Sequence, residues 1–280
     1  MISITPDEVK VWSQLIYQVC GIVLDAGKGY LIESRLASLL KETGSETFSE
    51  LFYKVRSDNS RRLQRMVVDA MTTNETSFFR DSSPFELLQH KLLPELIDRR
   101  RKSLPPGASV PLRIWSAACS TGQEVYSIGI VIRELIGNLP GFAPQILGTD
   151  ISDQAIKRAS YGVYSQMEME RGLNPAFLQK WFTREGEKFK IRDEIRAMAS
   201  FSSINLIDPF AFPLPFDIVF CRNVAIYFSE KDKLSLFERI SRVIAPDGAL
   251  IIGSTESITG ITAKFMPHRY LRAVFYTPVL

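Results

Sequence analysis

Apolar positions fall at helical spacing through the first hundred residues and then change rhythm. Val9, Trp12, Leu15, Ile16 and Val19 recur every three or four positions and predict a helix opened by Thr5 and Pro6 and closed at Gly21. Tyr30, Leu31, Leu36, Leu39 and Leu40 predict a second helix, stopped at Gly44. Phe48, Leu51, Phe52 and Val55 predict a third, Leu63, Met66, Val67 and Ala70 a fourth, and residues 85–97 a fifth. No strand alternation occurs here, so residues 1–100 read as a small all-α domain, leading into a basic, proline-containing stretch at 99–107 that is expected to be a solvated linker.

From Pro111 onward short apolar runs alternate with helical patterns, which predicts a doubly wound α/β sheet over residues 101–280. Leu112, Ile114 and Trp115 form a strand, residues 117–122 a turn of small side chains, and residues 125–136 a helix. Thr121 is placed to cap that helix, with Glu124 three residues on at capping-box spacing. Further strands are expected at 145–150, 199–206, 213–223, 249–254 and 271–276, with helices capped by Ser152 and Ser229. Residues 161–180 are less regular, and 181–192 read as a short hairpin subdomain turning near Gly186.

Charge and cysteine content narrow the function classes. The 34 basic and 31 acidic residues leave a net charge of +3, too even to imply nucleic acid. Three scattered cysteines, no CxxC and two histidines argue against a zinc site or a disulfide framework and for a reducing cytoplasm. No apolar run reaches transmembrane length and the N-terminus lacks signal-peptide character, so neither membrane insertion nor export is expected.

Candidate chemistry collects where strands end: the turn at 117–122, Asp150, Asn205 and Asn223. In an open α/β sheet that edge is the binding crevice. Asp150 can accept both hydroxyls of a ribose, or it can cap the following turn; the preceding strand–turn–helix favours ribose. The G-x-G-x-x-G fingerprint is absent, which weighs against a dinucleotide and leaves S-adenosylmethionine, which needs no diphosphate loop. Two features stay open. The polar run at 71–81 is either a connector anchored by Phe78 and Phe79 or part of a site for an anionic or zwitterionic ligand. The second helix, with Lys28, Arg35 and Lys41, is either a solvated face or a dock for an acidic partner.

Five segments together carry a resemblance: TTNETSFFR at 72–80, WSAACSTGQEVYS at 115–127, GTDIS at 148–152, FSSINL at 201–206 and FDIVFCRNVAIYF at 216–228. In this order they closely resemble the CheR family, the chemoreceptor glutamate methyltransferases of bacterial chemotaxis, over nearly the whole chain. The resemblance implies a Rossmann-like class I methyltransferase fold behind an all-α domain. It implies S-adenosylmethionine contacts from Asn74, Thr76, Arg80, Glu124, Asp150, Asn205, Leu206, Asn223 and Val224, with Arg80 and Tyr227 around the transferred methyl group and Arg35 facing the acidic methylation region of a receptor. The products would be glutamyl methyl esters and S-adenosylhomocysteine. The chain departs from the family at Ala118, Gln123 and Val125, where Gly, Glu and Pro are usual; Ala118 keeps the turn small and Glu124 is retained. The hairpin near Gly186 lacks the extra glycine-containing segment of members that grip a receptor C-terminal pentapeptide, so a monomer without pentapeptide tethering is expected. Two rival chemistries have some purchase on the sequence. Cys221 could be a nucleophile as in cytosine methylation, though a small apolar packing role is favoured. Base N-methylation typically uses an Asn-Pro-Pro-Tyr cluster, and Asn223–Tyr227 lacks the prolines.

Overall fold

The computed structural model describes residues 3–105, 107–137 and 141–279. Helices α1 (Pro6–Cys20), α2 (Gly29–Thr43), α3 (Phe48–Ser57) and α4 (Arg62–Met71) form the N-terminal part. The Thr5 capping box and the left-handed Gly21 bound α1 as the pattern predicts. Trp12, Ile16, Ile32, Leu36, Phe48, Leu51 and Val67 close a separate apolar core. Then α5 (Ser83–Leu87) continues through a π turn, Leu88–Leu92, into α6 (Leu93–Ser103). Phe85, Leu88, Leu93 and Leu96 pack into the core of the sheet that follows, so the apolar cores part between Met71 and Phe78 rather than near residue 100.

The expected solvated linker is also different. Residues 99–103 are the last turn of α6, and Arg100 is ion-paired with Asp217 at 2.6 Å and Asp247 at 3.0 Å. Asp217 is buried and also accepts the Arg113 N–H at 2.8 Å, so a buried carboxylate waiting at the foot of the sheet draws the basic turn inward.

The α/β part runs β1 (Val110–Ala117), α7 (Gln123–Ile136), β2 (Phe142–Asp150), α8 (Asp153–Tyr161), β3 (Val163–Ser165), α9 (Gln166–Glu170), α10 (Pro175–Trp181), β4 (Phe182–Glu185), β5 (Lys188–Ile191), α11 (Asp193–Arg196), β6 (Ala199–Ser203), β7 (Phe216–Cys221), α12 (Glu230–Val243), β8 (Ile244–Ile252), β9 (Phe265–Tyr270) and β10 (Ala273–Pro278). Among the described residues the strands form a seven-stranded sheet in the order β6-β2-β1-β7-β8-β10-β9 and a three-stranded sheet in the order β3-β5-β4. The first five strands of the large sheet are parallel; β10 pairs antiparallel with both β8 and β9, so it alone is reversed and β9 runs with the others. Period-two alternation sends Ile114, Ile218 and Phe220 to one apolar layer and Trp115, Val219 and Cys221 to the other.

The hairpin is present, but β3 adds a third strand to it, and β9 and the short helices α9 to α11 have no counterpart in the apolar pattern. Residues 246–248 form a bulge within β8, where the pairing with β7 skips from Ile244 to Ala249. Chain order reverses between β1 and β7, which puts the crevice at their carboxyl ends. The helical part covers that edge: Val23 N–H donates to the Tyr227 carbonyl at 3.0 Å, Asn205 Nδ2 to the Val19 carbonyl at 3.0 Å, and Ser152 Oγ to Asp69 at 2.7 Å.

Candidate active site at the carboxyl edge of the sheet

The turn after β1 is a run of alternating left-handed residues, with φ of 62° at Ala118, 50° at Ser120 and 95° at Gly122. It aims backbone N–H groups at β2: Cys119 N–H reaches the Thr149 carbonyl and Ser120 N–H reaches Asp150 Oδ2, both at 2.8 Å. Gly122 is required on two grounds. Its φ suits only glycine, and a Cβ would lie 2.9 Å from Ala159 Cβ and 3.1 Å from the Tyr164 hydroxyl.

That geometry overturns the capping box expected for α7. Gly122, not Thr121, is the N-cap, and no side chain caps the helix. The Thr121 hydroxyl instead donates to Gln123 Oε1 at 2.7 Å. Glu124 is drawn away by stronger partners: Ser116 Oγ donates to its Oε1 at 2.7 Å, and Arg222 Nη1 to its Oε2 at 2.8 Å.

Arg222 has no role in the sequence reading. Its side chain is 2% exposed, and it also bonds Asp81 Oδ2 at 3.0 Å and the Arg80 carbonyl at 2.8 Å. The available signal is a charge directly behind the apolar run Ile218–Cys221, since a buried cation has to find carboxylates.

Asp150 caps the following turn, its Oδ1 accepting the Ser152 N–H at 3.0 Å, and also stands on the crevice wall. Burial pushes its carboxyl upward, against hydrogen bonds from the Ser152, Ser120 and Ile151 amides that favour the ionised form, with Asp69 adding to the upward shift.

The segment at 71–81 is an anchored connector whose residues also line the crevice. Phe78 is fully buried, edge-on to Tyr164 and Phe182, while Phe79 packs on Phe85 and Phe177. Between α4 and these anchors, Asn74 and Thr76 line the crevice, and the Asn74 carbonyl takes a hydrogen bond from Ser120 Oγ at 3.2 Å. Arg80 donates to the Glu75 carbonyl at 2.9 Å and has no ion pair among the described residues.

On the far wall, Leu206 is buried and Asn205 bridges to α1. Asn223 is left-handed at φ 56°, and its N–H donates to Glu256 Oε2 at 2.6 Å. Val224 and a 3₁₀ turn, Ala225–Tyr227, follow, and the Tyr227 hydroxyl makes no hydrogen bond among the described residues. Arg35 on α2 also lines the crevice; its guanidinium donates to the Met71 carbonyl and, at 2.8 Å, to Thr73 Oγ1. All eleven residues singled out from the sequence thus meet around one cavity of about 200 Å³. Cys221 does not meet it. It is fully buried in the sheet, and burial, with the Glu256 and Glu124 carboxylates adding, pushes its thiol far from the thiolate a nucleophile needs.

A parallel sheet reversing at β1/β7, an acid closing β2, a small-residue turn after β1 and a single reversed strand, β10, inserted between β8 and β9 define a class I, S-adenosylmethionine-dependent methyltransferase. The donor set suits that cofactor: carboxylates from Asp150 and Glu124, and amides from Asn74, Asn205 and Asn223, beside the apolar walls of Ile151 and Leu206. Comparison with known proteins agrees. The family "CheR methyltransferase, all-alpha domain" matches residues 7–72 and "CheR methyltransferase, SAM binding domain" residues 74–272. A chemotaxis protein methyltransferase of Vibrio parahaemolyticus is 38% identical, with 98% of each chain covered. Chemotaxis protein methyltransferase 1 of Pseudomonas aeruginosa is 39% identical, with 91% of each covered. The chain belongs to the CheR methyltransferase family.

Proposed function

We propose that this enzyme methylates glutamate side chains in the cytoplasmic methylation region of chemoreceptors, forming glutamyl methyl esters. The observation that carries the reading is the state of the cavity's cations. Arg222 is neutralised by Glu124 and Asp81, whereas Arg80 and Arg35 have no carboxylate partner among the described residues. Two such cations at one cavity suit an acidic acceptor and not a cationic or neutral one.

S-adenosylmethionine, when bound, supplies an electrophilic methyl on a sulfonium. A glutamate, with an ordinary pKa near 4.3, arrives already ionised, so no general base is needed. The side chains have to hold and orient the acceptor. Arg80 takes the acceptor carboxylate, and Tyr227, with its hydroxyl unengaged, shapes the place of transfer and donates a hydrogen bond. Asp150 would take the ribose hydroxyls, and Asn74, Thr76, Glu124, Asn205, Leu206, Asn223 and Val224 would hold the rest of the cofactor. The helical roof, tied down at Val23 and Asn205, keeps water out. Arg35 directs the acidic receptor face towards the cavity mouth.

The receptor is met in the cytoplasm by a monomer that needs no pentapeptide tether. The β4–β5 hairpin, closed at Gly186 with φ 63°, supports that part of the reading. Among the described residues no helix is long and apolar enough to cross a membrane. Transfer of labelled methyl to receptor cytoplasmic fragments, with the esters mapped by mass spectrometry, tests the function: base-labile label on glutamate is expected. Label confined to nucleic acid, or stable to base on another side chain, overturns it. Micromolar binding of a receptor C-terminal pentapeptide would remove the tether-free reading alone.

A further inference from the structure

We propose that Glu256, on the loop after β8, is a positioning residue for cofactor binding that acts through Asn223. The inference rests on reading Asn223 as a cofactor contact.

The last ladder pair between the two central strands is Cys221 with Ile252. Immediately beyond it the chain after β7 bends into a left-handed residue, Asn223, a conformation that is unfavourable for a non-glycine residue and has to be held by its surroundings. The holding group is one carboxylate oxygen. Glu256 Oε2 accepts the Asn223 N–H at 2.6 Å and the Gly253 N–H at 2.7 Å, and so joins the ends of two strands where the ladder stops.

The Asn223 side chain is fixed by the same loop. A Cβ on Gly253 would stand 2.8 Å from Asn223 Nδ2 and 2.4 Å from Glu256 Oε2, so the amide sits directly on the glycine. Downstream, Val224 starts the 3₁₀ turn that carries Tyr227, and Ser254 Oγ reaches Asp81 Oδ2 at 3.2 Å, next to Arg80. Glu256 Oε1 is buried with no hydrogen-bond partner among the described residues. Glu256 therefore holds the backbone of Asn223, whose side-chain amide rests against Gly253 of the same loop, without joining the cavity lining.

The experiment compares E256A, E256Q and N223A with the parent protein. It measures the Kd of S-adenosylhomocysteine by calorimetry, KM for S-adenosylmethionine against kcat, and melting temperature. E256A is expected to raise Kd and KM tenfold or more with kcat within threefold, and E256Q, which keeps an acceptor oxygen, to return both to within threefold of the parent. If E256A does not fold, E256D, one methylene short of the Asn223 N–H, carries the same expectation. An E256A that melts lower but binds within twofold of the parent overturns the inference and makes Glu256 a structural staple. If N223A itself binds as tightly as the parent, the assignment of Asn223 fails and the inference falls with it; weakened N223A beside unaffected E256A removes the inference only.

Discussion

Replacing Arg222 by methionine removes the charge at the centre of the site while filling most of its volume. The guanidinium loses three partners. Its pair with Asp81, whose side chain is 36% exposed, is close to a surface pair and worth about 0–1 kcal/mol. Its bond to the Arg80 carbonyl contributes about 1 kcal/mol. The pair with Glu124 decides the outcome, because both ends are withdrawn from water, at 2% and 13% exposure, and breaking a buried pair on one side costs about 3–5 kcal/mol. We therefore expect the cofactor-free protein to lose about 4–7 kcal/mol, a fall in Tm of roughly 8–20 °C for a protein of this size. Urea unfolding of R222M, E124Q and the double variant tests the assignment. The double variant should be more stable than the sum of the singles by at least about 1.5 kcal/mol, since with both changes in place neither position buries an unpaired charge. If R222M costs less than about 1 kcal/mol, or the two changes simply add, Arg222 is not the partner that holds Glu124, and the electrostatic account of the cavity fails.

Other expectations follow from the same geometry. Arg80→Ala should lower kcat/KM for the acceptor about 100-fold, the loss of a charge-assisted contact of about 2–3 kcal/mol, while leaving the Kd of S-adenosylhomocysteine less affected; Tyr227→Phe should lower kcat about tenfold. Full methylation by both variants would remove them from the chemistry. Gly122→Ala should cost about 2–4 kcal/mol in urea unfolding, because its φ of 95° and the contact with Ala159 are both forbidden to a Cβ. Asp150 binds protons more readily folded than unfolded, so it makes stability fall as pH rises from the ordinary aspartate value of 3.8 through its raised folded value. Subtracting the Asp150→Asn curve from the parent curve of cofactor-free stability should isolate that negative slope, and a positive one would mean the amide bonds outweigh burial.

The parts of this molecule that are legible in its sequence are the local ones. Period-two and period-3.6 apolar spacing locates the central strands and the long helices, and polar residues at the strand ends locate the cavity, because a parallel sheet sends every such residue to one edge. Residues whose partners lie far along the chain are not legible. Thr121 and Glu124 have ideal capping spacing, yet Arg222, 98 residues on, outcompetes the helix terminus for the carboxylate. Arg100 reads as one charge in a basic run, and only the fold brings Asp217 to it. Edge strand β9 escapes the pattern because its apolar residues do not alternate: Phe265 is buried, while Met266 is exposed and Pro267 follows.

Two of the residues that sequence reasoning passes over, Arg222 and Glu256, share a placement that explains both the omission and their importance. Each follows a buried strand, β7 or β8, and each is tied to the backbone of a neighbouring segment rather than to a periodic face. Arg222 ties β7 to the Arg80 loop and α7; Glu256 ties β8 to the turn that carries Asn223 and leads to Tyr227. The cavity's wall is thus two chain reversals clamped by one buried cation and one carboxylate, with strain at Phe79, Asp81 and Asn223, all left-handed, held between them. In such a wall Arg222 both faces the cavity and fixes its neighbours, Glu256 only fixes them, and apolar pattern reports on neither. The double-variant cycle at Arg222 and Glu124 and the affinity split at Glu256 probe the two clamps separately; loss of either should loosen the cavity without removing any group that lines its ligand-facing surface except Arg222 itself.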